Sequence, residues 1–348
     1  MTSSVPSRPP RPSRGPRALR AVPAAAPDPS RADPRLVLRA SDPQDLVAAA
    51  WVALGFEPTE SVVLLTFGAG PSFHARADLP PARASRQHVE DLVAVLLEPA
   101  VRHAVQRVAV VLCSADVART DPLAGALAAS FEAVGIEVVA QVRYAAGRVH
   151  RLDVPGAPDP DDPGEPCDPS SHAFLVRAVL AGHVVAGSRA DVERLVAPDP
   201  ARALAVRAAL LDAAGAIGPE ADEAVDVVDL VRTLAAARTV PAARDVAVLL
   251  RLLGDPVQAQ RAWCPRSRVE ARAHADLWAS VVRASPEESV ASAAGLLALA
   301  AAYAGDGALA WCAVDRAQAA QPGHRLTALI GRHLAAATRP EAYAPAAR

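Results

Sequence analysis

Lysine is absent from the 348 residues: every one of the 36 Lys plus Arg positions is an arginine. That absence excludes a lysine Schiff base and a P-loop lysine, and such uniform arginine usage reads as genome composition rather than as guanidinium chemistry. Cysteine is scarce as well. Cys113, Cys167, Cys264 and Cys312 stand far apart, with no CxxC pair and no ligand cluster. The expectation is four thiols packed mostly as small hydrophobes in a reducing cytoplasm, with no metal site. No apolar run reaches the length of a membrane span without charge or proline interrupting it. The Ala24–Ala26 patch sits among prolines and does not form the core of a secretory signal. A glycine-rich dinucleotide fingerprint is also missing, since GFEP and GAGPSF have the wrong spacing and context for cradling phosphate. No cofactor is therefore expected. A formal net charge of -2 argues against a general nucleic-acid binder, and no membrane partner is expected.

What is present divides into five stretches. Residues 1–34 are rich in Pro, Arg, Ser and Ala, a composition that predicts a disordered basic arm. Residues 35–154 read as an α/β domain, 155–171 as an acidic, proline-rich linker or loop, 172–337 as a helical domain and 338–348 as a flexible tail. With 51% hydrophobic residues there is ample apolar surface for two cores.

The α/β reading is organised around Leu54–Pro80. Ser61–Phe67 is a continuous β-branched run and Phe73–Leu79 a shorter mixed one, with Gly68, Gly70 and Pro71 between them, so a strand hairpin is predicted. Before it, Leu36–Leu38 reads as a short strand, and SDPQDLVAAA reads as a helix capped by Ser41 and Gln44 that ends near Gly55. After it come a helix over Ser85–Leu97, a strand over Val105–Cys113, a helix over Asp121–Val134 and a strand over Ile136–Tyr144. That alternation predicts a mixed sheet with crossover helices, followed by an all-helical C-terminal domain. Ligands in such folds gather beyond the carboxyl ends of strands, which draws attention to the Ser114–Asp121 loop with Ser114, Asp116, Thr120 and Asp121.

Arg76 and Asp78 lie two positions apart on the second strand and so share a face. Two readings are open: a polar ligand site in which Arg76 meets an oxyanion or phosphate, or a pair that satisfies itself near the strand end. His88 has no acidic or cysteine partner at ligand spacing and reads as structural. The Asp- and Glu-rich run Asp159–Asp168 lacks the spacing of an EF-hand loop and reads as a solvated connection.

Beyond Ser171 helices are predicted throughout, with caps at Ser188, Asp199 and Ser285, the last joined by Glu288 in a capping box. Leu296–Leu329 holds two alanine-rich helices joined by GDG, loosely like one tetratricopeptide hairpin. Asp306 is placed to cap the second, with a ligand role as the other reading. Arg244 and Asp245 are adjacent and do not face each other, and they are candidates for polar contacts at a domain interface. Trp263 and Trp278 read as packing anchors rather than a base-stacking platform.

SDPQDLVAAA (41–50), LGFEPTESVVLL (54–65), ARADLP (75–80), SRADVERL (188–195), the pair Arg244–Asp245 and GDGALAWCAVDRAQAAQPGHRL (305–326) together resemble the actinobacterial domain-of-unknown-function family numbered 4192. The resemblance implies one unit of α/β plus helical architecture and carries no activity. The chain departs from the family's aromatic GRWW-like turn and CCP-like group, having GRVHRLD from Gly147 and an isolated Cys167. A metal or thiol role built on those cysteines is therefore not expected here. With no recognisable nucleophile and base set and no cofactor motif, the leading expectation is a noncatalytic regulatory, scaffold or protein-interaction module. The alternative is a small-molecule-binding protein or enzyme with a polar cleft near Arg76 and Asp78, joined by Asp116 or Asp306.

Overall fold

The computed structural model describes residues 38–67, 73–152, 163–181, 185–216 and 225–345. The expected basic arm, the Leu36–Val37 part of the first strand, the Gly68–Pro71 turn and residues 155–162 of the acidic linker lie outside them. The described residues belong to one compact unit that begins at Leu36.

Helix α1 (Pro43–Leu54) starts one residue later than the Ser41 cap predicts. Asp42 accepts the Asp45 amide at 2.8 Å, while the Ser41 amide donates to the Asp45 carboxylate at 2.6 Å. A carboxylate at the N-cap serves the free amides as well as a hydroxyl does and also suits the helix dipole. Gly55, at φ 74°, takes the left-handed conformation that stops the helix.

Strands β1 (Ser61–Phe67) and β2 (His74–Asp78) form the expected antiparallel pair. Helix α2 (Arg86–Arg102) follows, opened by a box in which Ser85 and His88 bond each other's backbone, which is the structural role expected of His88. Strand β3 (Arg107–Cys113) pairs antiparallel with β1 and parallel with β4 (Glu137–Ala145), and α3 (Val117–Ala133) is the crossover between them. Helix α3 starts four residues earlier than the sequence suggests. Thr120 and Asp121 thus belong to the helix rather than to a loop, and Thr120 donates back to the Asp116 carbonyl at 3.2 Å.

Two further strands escape the sequence pattern, β5 (Arg148–Arg151) and the two-residue β6 (Glu165–Pro166). The sheet order is β2-β1-β3-β4-β5-β6. Alternation splits it into two faces, with one register shift between β3 and β4 at Val108/Ala109. Val62, Leu64, Val108, Val110 and Leu112 pack under α2 and α3. Val63, Leu65, Ala109, Val111 and Val142 pack under α1 and Leu175 of α4 (Ala173–Leu180).

The remaining chain is helical: α5 (Arg189–Arg194), α6 (Pro200–Ala216), α7 (Val227–Ala237), α8 (Ala243–Leu252), α9 (Pro256–Arg261), α10 (Arg268–Ala284), α11 (Val290–Ala304), α12 (Gly307–Ala320) and α13 (Arg325–Ala335). Ser188 and Asp199 cap as expected. Ser285 does not: its hydroxyl turns back to the Val281 carbonyl at 2.8 Å, and a 3-10 turn over Glu287–Ser289 precedes α11. Alanines on α11 allow α10 and α12 to approach closely around the fully buried Trp278. The architecture is thus a mixed α/β sheet followed by a helical region. No described helix is long and apolar enough to cross a membrane.

Candidate functional site

The carboxyl ends of β2, β3 and β4 lie at one margin of the sheet, with the amino end of β1 between those of β2 and β3, because β2, β3 and β4 run in one direction and β1 in the other. Register places Asp78, Ser61, Cys113, Tyr144 and Val149 in a single row across five strands, one residue from each. Residues paired in this way alternate faces together, so the row belongs to the α1 side, where Cys113 and Val149 join the core. One step inward, Arg76 pairs with Val63 on the same face.

The chain between α1 and β1 lies next to that row. Gly55 and Glu57 clasp Ala186: the Ala186 amide donates to the Gly55 carbonyl at 2.7 Å, and the Glu57 amide donates to the Ala186 carbonyl at 3.2 Å. Phe56 is buried in the helical core, and the Arg76 guanidinium carbon lies 5.9 Å from the centre of its ring. Trp51 meets Tyr144 edge to face, with ring centres 6.3 Å apart. Glu60 then enters β1 at φ 45°, an uncommon conformation for a residue with a side chain. It is held there from several sides. Its carbonyl accepts the Leu79 amide at 2.9 Å, and its carboxylate accepts the Ser114 hydroxyl at 2.9 Å and pairs with Arg119. Arg119 also donates to the Pro80 carbonyl at 2.9 Å, which ties the end of β2 to α3.

Arg76 and Asp78 do pair, at 2.6 Å, but unequally: the arginine side chain is 13% exposed and the aspartate 80%. The pair uses a terminal guanidinium nitrogen, leaving Arg76 Nε buried without a partner. Two more buried atoms on this face lack partners, Trp51 Nε1 and Ser61 Oγ. Buried polar atoms normally find one.

The titrating groups are biased toward neutrality. Burial pushes the Cys113 thiol up to about 12, with Arg76 opposing and Glu57 and Glu60 adding to the shift. Burial, then the Glu57 charge, pushes Tyr144 up to about 12. Burial pushes Cys167 up to about 11, with Asp168 next among the causes. Glu57 itself is raised by burial. A thiol held that high is not a poised nucleophile at neutral pH.

The other residues singled out from the sequence sit elsewhere or are committed. Asp116 occupies the N-cap position of α3 but makes no side-chain cap bond; its amide donates to Ser114 Oγ at 3.1 Å. Asp306 accepts the Leu309 amide at 2.9 Å and so caps α12. Arg244 and Asp245 stand in the first turn of α8, Arg244 exposed and Asp245 half-buried. Among the described residues none of these is hydrogen-bonded or ion-paired to Arg76 or Asp78, and no group of His, Cys, Asp or Glu is placed to hold a metal.

A family model, Domain of unknown function (DUF4192), matches residues 43–341. The chain belongs to the DUF4192 family. No curated protein matches it, and no solved structure does. Within this DUF4192 chain the segments singled out in the sequence fall into two groups. Leu54–Leu65 and Ala75–Pro80 meet at the sheet margin just described. Ser188–Leu195 and Gly305–Leu326 meet in the helical region, where Arg189 of α5 lies 3.7 Å from Asp315 of α12.

Sequence reasoning named Arg76 and Asp78 but passed over Trp51, Glu57, Ser61, Cys113 and Tyr144 as candidates. Glu57 and Ser61 were visible inside GFEPTES. Their relation to Cys113 and Tyr144 needed the strand register.

Proposed function

We propose that this DUF4192 protein is a noncatalytic, regulatory binding protein that holds a polar small molecule at the carboxyl ends of β2, β3 and β4. The observation that carries the reading is the set of three buried, unpartnered polar atoms, Trp51 Nε1, Ser61 Oγ and Arg76 Nε, on one face of one sheet margin. A ligand able to accept hydrogen bonds would satisfy groups that are costly to leave unmade. The protonated thiols of Cys113 and Cys167 favour binding over covalent chemistry, and the four free, buried cysteines suit a reducing cytoplasm.

Native mass spectrometry of the full chain, purified gently from its own cytoplasm, tests this. A retained small molecule that is lost from Arg76→Ala is the expected result. A chain of bare mass, with no small molecule raising its melting temperature, would overturn the reading.

A second reading, a protein-interaction module, is favoured by α4. Val176, Val179 and Leu180 form an exposed apolar stripe there, with Leu180 83% exposed. A stoichiometric protein partner displaced by Val179→Asp in a pull-down would support it.

A further inference from the structure

The charges around the sheet margin do not balance internally, and the imbalance has two signs. Arg119 is matched by Glu60. Arg76 is matched by Asp78 on its outward side only, since its Nε is closed to solvent and unpartnered. Glu57 is half-buried, and among the described residues it has neither a side-chain hydrogen bond nor a counter-ion. It lies close enough to Cys113 and Tyr144 for its charge to be felt by both. The same margin therefore holds a donor set, Arg76 Nε with Ser61 Oγ and Trp51 Nε1, and an acceptor that lacks a cation.

Each simple ligand class satisfies one half and worsens the other. A phosphate or lone carboxylate suits the donors but crowds Glu57 with like charge. A lone amine answers Glu57 and leaves the buried donors unmade. A nucleotide would bring several negative charges to a place already holding Glu57, Glu60 and Asp78. A small molecule with both signs answers both halves.

Building on the binding reading above, we infer that the site takes a small amino-carboxylate zwitterion, its ammonium at Glu57 and its carboxylate at Arg76 and Ser61. Neighbouring strands lie about 4.8 Å apart, so the three-strand row Ser61–Cys113–Tyr144 spans about 10 Å, the scale of an amino acid rather than of a dinucleotide. Tyr144, partly exposed and met edge to face by Trp51, supplies ring surface beside the charged groups.

Titration calorimetry and thermal shift on the full chain test the class with a panel of the protein amino acids and β-alanine, set against methylamine and acetate as half-ligands. At least one zwitterion is expected to bind the wild-type chain about tenfold or more tighter than either half-ligand. Glu57→Gln should lose that preference and move toward acetate. Its backbone bonds to Ala186 do not involve the side chain, so the variant is expected to fold, and the half-ligand comparison on wild type needs no variant at all. Acetate or methylamine binding as tightly as every zwitterion would overturn the inferred class and leave the binding site standing. No binding by any probe, with native mass spectrometry showing a bare chain, would overturn both.

Discussion

A single histidine sets part of the acid sensitivity of the fold. His274 on α10 is 2% exposed, and its Nδ1 has no partner. Burial pulls its pKa down to about 4, with Glu270 opposing and Arg232 adding to the shift. Because the folded pKa lies below the unfolded value, the unfolded chain binds more protons between the two. The stability tied to this neutral ring is complete above about pH 6.5 and is lost as pH falls toward about 4, a loss on the order of 3 kcal/mol. Urea midpoints compared at about pH 7.5 and about pH 5 should fall less for His274→Gln than for wild type. Equal losses would show that other groups dominate.

The same scale shows how much the sequence disclosed about the site. Arg76 and Asp78 were legible as a same-face pair because strand alternation is local. Their unequal burial was not, because it depends on Phe56 and on the helical core that Phe56 enters. Glu57 and Ser61 were on view as letters in GFEPTES. Cys113 and Tyr144 join them only through the pairing of β1 with β3 and of β3 with β4, a long-range fact that no single stretch encodes.

Among elements, β1, β3, β4 and most helices were readable because their apolar patterns are long and their ends carry caps or glycine. The pair β4–β5 was only half seen. Val149 is the one apolar side chain in Arg148–Arg151, too little alternation to announce a strand, and the turn before it does not use the usual residues. Ala146 and Gly147 sit at φ 49° and 71°, the two positive angles of a type I′ hairpin. Alanine in the left-handed region costs roughly 1 kcal/mol that glycine or asparagine avoids. Ala146→Asn is therefore expected to raise stability by up to about 1 kcal/mol, read as a higher urea midpoint with unchanged slope. A lower midpoint would mean that the alanine methyl packs in a way that outweighs its strain. Likewise β6 was read as linker, since two paired residues, one of them a proline, leave no periodic signal.

At the scale of the molecule, the sheet and the helical region are joined through named contacts. Phe56 leaves α1 on the sheet side and ends in the core of the helices, the Gly55–Glu57 backbone bridges Ala186, and His103 at the end of α2 lies 3.0 Å from the Ala336 carbonyl. Such sharing predicts one cooperative unfolding transition for the folded part of the chain. The tryptophans report on both regions: Trp51 packs on the sheet, and Trp278 lies in the helical core. Variants keeping only one or the other should give coincident urea curves, whereas Phe56→Ala should separate them. Non-coincident curves in a chain that retains Phe56 would show that the two regions unfold independently.

The far margin of the sheet has a bearing on solubility at high concentration. β6 presents a glutamate and then Pro166, which has no amide hydrogen to offer a neighbour. Unprotected strands are where identical chains stack into fibres, and a short, charged, proline-ended rim is a recognised guard against that. At this edge an incoming strand meets a charge and a missing amide hydrogen, so strand addition is disfavoured by the chemistry of two residues.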